Sequence, residues 1–358
     1  LVPGRQTIFH ANPLKYAILA AMKNKTITLD HGSGGRASHH LIEQVFRAAF
    51  DNPILNPLED SAVFELAGSR LCFSTDSFVV DPIFFPGGDI GELAVNGTVN
   101  DIAMRGAAPL FLSAAMIIEE GFAAGDLAKI VQSMQKAAKR AGVTIVTGDT
   151  KVVQKGKADK IFINTAGIGI VRSTHDISGT AARLGDAVIV SGSIADHGVT
   201  ILCQQQGLSI RGSFQSDTAP LNHMVIKLLD AVGTELHVLR DPTRGGVATT
   251  LNEIAGSSGI GIVLHEEALP VRNDVQGACD LLGLDPLYLA NEGKLLAFVA
   301  EDAVDKTLAA LKSCPGGEEA RLIGFVTGDH PGKVFLKTSL GSLRLVDMLH
   351  GHPLPRIC

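Results

Sequence analysis

The sequence predicts two α/β domains joined near residue 180, on three observations. Apolar runs of strand length alternate with amphipathic stretches of helical length along most of the chain. Its 358 residues exceed one ordinary domain and suit two. Near Arg183-Leu184-Gly185-Asp186 the alternation begins afresh. Aromatic residues are sparse, with no Trp and two Tyr, so the cores must rest on Val, Ile, Leu and Ala. Strands buried on both faces have that composition.

Taken in order, Leu1–Met22 carries only a short apolar run at Tyr16–Met22, closed by Lys23. It is too short, and lacks the cleavage site, for a convincing secretory signal. Residues 1–24 are read as an unassigned extension of upstream or vector-derived residues, with Met22 as the native start. Thr26–Leu29 is expected to be a strand leading into the glycine-rich loop His31-Gly32-Ser33-Gly34-Gly35. Leu41, Ile42, Val45, Phe46 and Ala49 recur at helical spacing, and Asp51-Asn52-Pro53 ends that helix. Ala62–Leu66 and Leu71–Thr75 alternate as strands. A helix follows over Asp89–Met104 with Asp89 as N-cap, then a buried strand over Leu110–Ile118. Asp126 is expected to cap a helix whose apolar face is Leu127, Ile130, Val131, Met134, Ala138 and Ala141. Val143–Thr147 and Ile161–Val171 read as strands, the first ending in a loop at Gly148.

In the second half, strands are expected at Ala187–Val190, Ile260–Leu264, Leu295–Ala300, Leu322–Val326 and Val334–Leu336. Helices are expected near Gly198–Gln205, over Ala219–Val232, after Asp241-Pro242, and over Asp274–Leu282 and Asp302–Lys312. No short-period repeat, low-complexity tract or sustained heptad interrupts this pattern.

Composition excludes several functions. Lys and Arg total 31 against 37 Asp and Glu, a net charge of -6, and no basic run supplies the face a nucleic-acid binder needs. The longest apolar stretch, Ala107–Ile118, contains Pro109 and falls far short of the roughly 20 residues that span a bilayer. The five cysteines are scattered and form no CxxC pair, which argues against a zinc knuckle or disulfide framework and for a reducing cytoplasm.

Several acids stand at element ends beside small residues: Asp60 in Glu59-Asp60-Ser61, Asp76 after a strand, Asn100-Asp101 late in a helix, Asp149 in Thr147-Gly148-Asp149-Thr150, and Asp241 before Pro242. Carboxylates converging on one place repel unless a hard divalent cation sits among them, and magnesium with a polyphosphate is the natural occupant. Each taken singly is equally a cap or turn former. The loop at His31–Gly35 offers successive backbone N–H groups to a phosphate, or is an ordinary turn; it matches neither GxxxxGK[ST] nor GxGxxG. Lys151 directly follows Thr147-Gly148-Asp149-Thr150, where a cation would stabilise a transferring phosphoryl group, although most lysines are merely solvated. Glu292 in Asn291-Glu292-Gly293 is either a general base or a loop acid. The ending Pro353-Leu354-Pro355-Arg356-Ile357-Cys358 reads as a stiff, extended arm carrying a thiol that can visit an active site, with Arg356 favouring its thiolate. Prenylation would need three residues after the cysteine.

From about Lys25 to Cys358 these blocks, in this order, resemble the HypE family of the PurM–SelD–ThiL superfamily of ATP-using enzymes. The carrying segments are His31–Gly35, Ser74-Thr75-Asp76, Asn100-Asp101, Thr147–Lys151, Asp241–Gly246, Asn291–Gly293 and above all Pro355–Cys358, with no departure among them. The resemblance implies an α/β, two-domain PurM-like fold. Residues 25–180 would form an ATP-binding domain whose strands pair across a homodimer, 181–346 an α/β sandwich, and 347–358 a flexible tail. It implies that a HypF partner loads a carbamoyl group onto Cys358, that ATP drives its dehydration to a thiocyanate, and that a HypC–HypD complex takes the cyano group. An amide oxygen leaves poorly; once phosphorylated it departs as phosphate, and two proton removals from nitrogen give the nitrile.

On this resemblance ATP is bound by Asp60, Asp76, Asn100, Asp101, Thr147, Gly148, Asp149 and Thr150, and Mg2+ by Asp60, Asp101, Asp149 and Asp241. Cys358 carries the substrate, Lys151 stabilises the transferring group, and Glu292 removes protons. Two rivals remain open at this point. A selenophosphate synthetase or thiamine phosphate kinase activity would act on a free small molecule, and a nucleotide-binding scaffold would organise a complex without chemistry.

Overall fold

The computed structural model of the chain describes residues 26–208, 212–349, 351 and 356–358. The extension at 1–24 lies outside the described residues. No strand forms at Thr26–Leu29. Leu29–Gly32 is instead a 3-10 turn, because His31 Nδ1 bonds both the backbone N–H and the hydroxyl of Thr28, at 3.1 and 2.9 Å, and folds the chain on itself. Helix α1 (Arg36–Leu41) starts at Gly35 and runs through a wide π-type turn over Ile42–Arg47 into α2 (Ala48–Phe50). Asn52 closes it, its side-chain oxygen accepting from the N–H groups of Ile54 and Leu55.

One sheet is built wholly from residues 62–171. Its strands are β1 (Ala62–Leu66), β2 (Ser69–Phe78), β5 (Ala107–Glu119), β6 (Thr144–Val153) and β7 (Ile161–Val171), in the order β1-β2-β7-β5-β6. Only β5 and β6 run parallel. A two-stranded ribbon, β3 (Phe84–Phe85) with β4 (Gly88–Asp89), leads into α3 (Ile90–Met104). Asp89 caps α3 as expected, accepting from Gly91 N at 2.7 Å and Glu92 N at 3.1 Å. Every residue of α3 is buried except Glu92, paired with Arg140 at the surface, and Asp101. A helix apolar nearly all round is one enclosed on all sides, and α3 lies between this sheet, α4 (Ala124–Ala141) and the second half of the chain.

Three expectations for this sheet need correction. Asp126 does not cap α4, which begins two residues earlier behind Ala123; Asp126 sits in its first turn and pairs with Lys129 at 2.8 Å. β5 is covered on one face only, since both helices pack on the same side, so Phe111 and Ile117 are exposed together with Phe73 of β2. Gly148 is not in a loop. β6 runs straight through it along β5, and a Cβ there would stand 2.3 Å from the Ala114 carbonyl oxygen, so the glycine serves close strand approach.

The second sheet comprises β8 (Ala187–Val190), β9 (Leu236–Arg240), β10 (Gly261–His265), β11 (Leu296–Val299), β12 (Arg321–Thr327), β13 (Val334–Lys337) and β14 (Leu343–Val346). Their order is β14-β13-β10-β12-β8-β11-β9. Strands β8 and β11 are buried at every position, as their unbroken apolar runs require. Alternate residues feed two cores: Val188 and Val190 pack with α7 (Gly246–Ser258), whereas Ala187 and Ile189 pack with α6 (Asn222–Val232) and α9 (Val304–Lys312). Helices α5 (Asp196–Gln205) and α8 (Asn273–Leu282) instead join the core of the first sheet.

Polar ties fasten the two halves. Asn100 of α3 accepts from Leu221 N at 2.8 Å and donates to the Ala219 carbonyl at 3.1 Å. His39 of α1 meets Glu253 of α7 at 2.7 Å, and that bond chiefly raises the histidine pKa above 6.5. Asp89→Ala is expected to cost about 1–2 kcal/mol in urea unfolding, the usual loss of an N-cap. For His39→Gln the sign follows from the raised pKa. The stabilisation is fully present below pH 6.5 and is lost as pH climbs through the folded-state value, so melting curves should separate variant from parent in acid and converge in alkali.

Candidate active site

Between the two sheets opens a cavity of about 630 Å3, and six of the acids and thiols singled out from the sequence line it: Asp60, Asp76, Asp101, Asp241, Glu292 and Cys358. Asp60 precedes β1, and Asp101 sits in the last turn of α3, the one residue of that turn not sealed in the core. Ser74 on β2 ties them, donating to the Asp60 carbonyl at 3.1 Å and to Asp101 Oδ2 at 2.7 Å. Asp241 follows β9 and Glu292 precedes β11, neighbouring strands whose ends put both side chains at one rim.

The cavity wall is rich in buried acids. Burial pushes the Asp60 carboxyl well above its usual range, against the pull of Arg240, whose Nε stands 2.8 Å from Oδ1. Burial, then the neighbouring Asp241 and Asp76, does the same to Asp101. Asp241 is raised to about 6, mainly by burial. Glu292 is raised well above the ordinary value by burial and then by Asp217. Asp60 Oδ2 and Glu292 Oε1 are buried without a hydrogen-bond partner. Hard, under-neutralised oxygens of this kind suit magnesium. Among the described residues no three metal-ligating side chains already converge on one point, so an ion here would complete its shell from phosphate and water, as magnesium commonly does.

The end of the tail is seated, not free. Residues 350 and 352–355 lie outside the described residues, but 356–358 run antiparallel to Val79–Asp81, with Val79 N donating to the Cys358 carbonyl at 3.0 Å and Asp81 N to that of Arg356 at 3.2 Å. Burial lowers the pKa of His197, and its neutral ring donates from Nε2 to the Ile357 carbonyl at 2.7 Å. Cys358 sits where the large cavity meets a smaller one of about 90 Å3. Burial raises its thiol pKa and Arg244 opposes the rise.

Arg244, not Arg356, is therefore the cation beside the sulfur. Arg356 turns away, donating to the Val79 carbonyl at 2.7 Å and pairing with Asp159 over the Phe162 ring. The glycine turn backs Arg244: Gly34, at φ +80°, lies so close that a Cβ would stand 2.8 Å from the arginine Cβ. The loop thus lines the cavity through His31 and Gly34, and close packing accounts for Gly34 and for Gly35, where a Cβ would stand 2.4 Å from the Leu349 carbonyl oxygen.

Other sequence-selected residues are elsewhere. Asn100 faces away from the cavity, bonding the 219–221 segment and reaching the Glu292 carbonyl at 3.4 Å. Thr147, Gly148, Asp149, Thr150 and Lys151 lie exposed on edge strand β6 and line neither cavity. Lys151 pairs there with Asp149 at 2.8 Å, and that contact lowers the Asp149 pKa. Sequence reasoning gave no role to Arg244, Arg240, His197 or Asp217. The first two adjoin Asp241 and had that signal; the others had none.

Two family models match. The AIR synthase related protein N-terminal domain covers residues 58–171, and the AIR synthase related protein C-terminal domain covers 183–337. The chain is 52% identical over 335 residues to the carbamoyl dehydratase HypE of Rhizobium leguminosarum bv. viciae, covering 94% of this chain and 96% of that one. It is 48% identical over 337 residues to the carbamoyl dehydratase HypE of Escherichia coli K12, covering 93% and 99%. Among solved structures, HypE in a HypE–HypF complex superposes with a TM-score of 0.83 at 51% identity, over 86% of this chain and 99% of that one. HypE in complex with ATP gives 0.79 at 54%, over 93% and 100%. A ThiL complexed with AMPPCP and TMP, at 18% identity and a TM-score of 0.66 over 91% and 98%, shares the fold. With that identity sustained across both domains and the terminal cysteine seated among buried carboxylates, the chain belongs to the HypE family.

Proposed function

We propose that this chain uses ATP to dehydrate a carbamoyl group carried on Cys358 to a thiocyanate, the source of a cyano ligand in hydrogenase maturation. The observation that carries the reading is the seating of a C-terminal cysteine in a carboxylate-lined cavity beside a buried, unpartnered Glu292 oxygen. A free small-molecule acceptor would not need this tail; the family relatives named above are carbamoyl dehydratases.

The residues divide the work. Asp60, Asp101 and Asp241 would hold the magnesium that accompanies ATP, and the ion would neutralise charge on the phosphates. Asp76 lines the same wall and joins them at the nucleotide. Glu292, made more basic by burial, accepts protons from the carbamoyl nitrogen. Arg244 stands where negative charge grows on the carbamoyl oxygen before that oxygen leaves as phosphate. The sulfur stays bonded to carbon throughout. HypF loads the carbamoyl group while the tail is out of its seat, and a HypC–HypD complex accepts the cyano group.

Lys151 and Asp149 enter this scheme through a second copy. They lie on an edge strand beside a sheet face with exposed Phe73, Phe111 and Ile117, the last opposite Lys151 in register, an apolar surface that a homodimer would cover. Residues 25–180 would then form the nucleotide-binding and pairing unit, and 181–346 the unit that supplies Asp241, Arg244 and Glu292. Among the described residues no helix is long and apolar enough to cross a membrane.

In mass spectra taken after incubation with HypF, carbamoyl phosphate and ATP, a carbamoyl mass should appear on Cys358 and convert to a cyano mass. Cys358→Ala is expected to abolish both while leaving ATP binding nearly intact; a variant that still makes nitrile would overturn the reading. Homodimers of Lys151→Ala and of Cys358→Ala should each be inactive, and mixed dimers of the two should regain nitrile formation. Mixtures without activity would refute supply of Lys151 from a second copy.

A further inference from the structure

Glu292 reaches the cavity from an irregular segment, and regular secondary structure does not hold it there. Its anchor is Asp217. One carboxylate accepts from two consecutive backbone N–H groups, Glu292 N to Oδ1 at 3.0 Å and Gly293 N to Oδ2 at 3.3 Å. Charge-assisted bonds of this kind are about twice as strong as neutral ones. Buried Lys294 balances the charge, its Nζ 3.4 Å from Asp217 Oδ2. The approach is as close as the backbone allows: a Cβ on Gly293 would stand 1.9 Å from the Asp217 carbonyl oxygen.

The preceding residue holds the other reactant. Ser216 Oγ bonds His197 Nδ1 at 2.8 Å, and His197 Nε2 donates to the carbonyl of Ile357, next to Cys358. Two adjacent residues therefore grip the segment bearing the base and, through one ring, the segment bearing the cargo. We infer that Asp217 is a positioning residue that fixes Glu292 in register with the sulfur of the seated Cys358, an inference that rests on Glu292 being the base. Asp217 touches neither nucleotide nor cargo. It acts by denying the Glu292 segment the freedom to drift, and a misplacement of about 1 Å can cost on the order of a hundredfold in rate.

The test is a single turnover. The full chain is carbamoylated on Cys358 beforehand, ATP and magnesium are added, and the thiocyanate is followed by mass spectrometry. Asp217→Asn keeps the shape but can satisfy only one of the two amides, and is expected to slow conversion about tenfold, with the KM for ATP unchanged within about twofold. Should one lost charge of the buried pair unfold the chain, Asp217→Ala with Lys294→Met removes both charges and should slow conversion by about a hundredfold. Combined with Glu292→Gln, Asp217→Asn should add no further loss, because positioning matters only if there is a base to position. Full-speed conversion by Asp217→Asn, a loss confined to KM, or losses that multiply in the double variant would overturn the inference while leaving the base assignment standing. Full-speed conversion by Glu292→Gln would overturn both.

Discussion

Burying negative charge without an equal positive charge is the constraint around which this molecule is arranged. Asp60, Asp101, Asp241 and Glu292 stand about one cavity, and burial raises the pKa of each. An isolated buried carboxylate costs several kcal/mol, so such a cluster persists only if the surrounding packing holds it. The packing does so from both halves. Helix α3 is sealed on nearly every face, which leaves Asp101 no alternative position, and Arg240 bridges Asp60 to Glu253 at 2.8 Å on each side. The charge left uncompensated is what a magnesium–nucleotide complex would relieve, so ligand binding and relief of strain coincide.

The seat of the tail follows from the same constraint. Another negative charge beside those carboxylates would be repelled, and the contacts holding residues 356–358 are backbone hydrogen bonds, a neutral histidine ring and an arginine turned outward to Asp159. The thiol itself is held toward its protonated form by burial, with only Arg244 opposing. A carbamoylated sulfur is neutral at every pH. Loading therefore adds no charge at the sulfur, whereas the thiolate needed for loading is favoured elsewhere.

How much of this could be read in the sequence depended on geometry of different ranges. Asp60, Asp76, Asp101, Asp241 and Glu292 were legible because each stands at or near an element end beside small residues, and such ends gather where sheets meet. Asn100 was not separable from Asp101: a helix turns about 100° per residue, so adjacent polar residues point about a right angle apart, and only Asp101 sees the cavity. Thr147–Lys151 looked like a loop because glycine and aspartate are turn formers, but nine residues of β5 pair alongside and override that preference. Arg356 was the sequence neighbour of the thiol. Its backbone partner Val79 turns it outward, and the cation in place is Arg244, which no local signal connects to the C-terminus.

The lysine is the remaining step. Among the described residues no lysine lines either cavity, and Arg240 is already committed to Asp60 and Glu253, so Arg244 would meet alone the negative charge that phosphoryl transfer to a neutral amide oxygen builds. Lys151 is exposed on the edge strand opposite Ile117, on the bare apolar face of the first sheet. A second copy packed on that face would bury the apolar side chains and bring an edge-strand lysine toward a cavity that lacks one. Covering the sheet and completing the site would then be a single event, and catalysis would be a property of the pair.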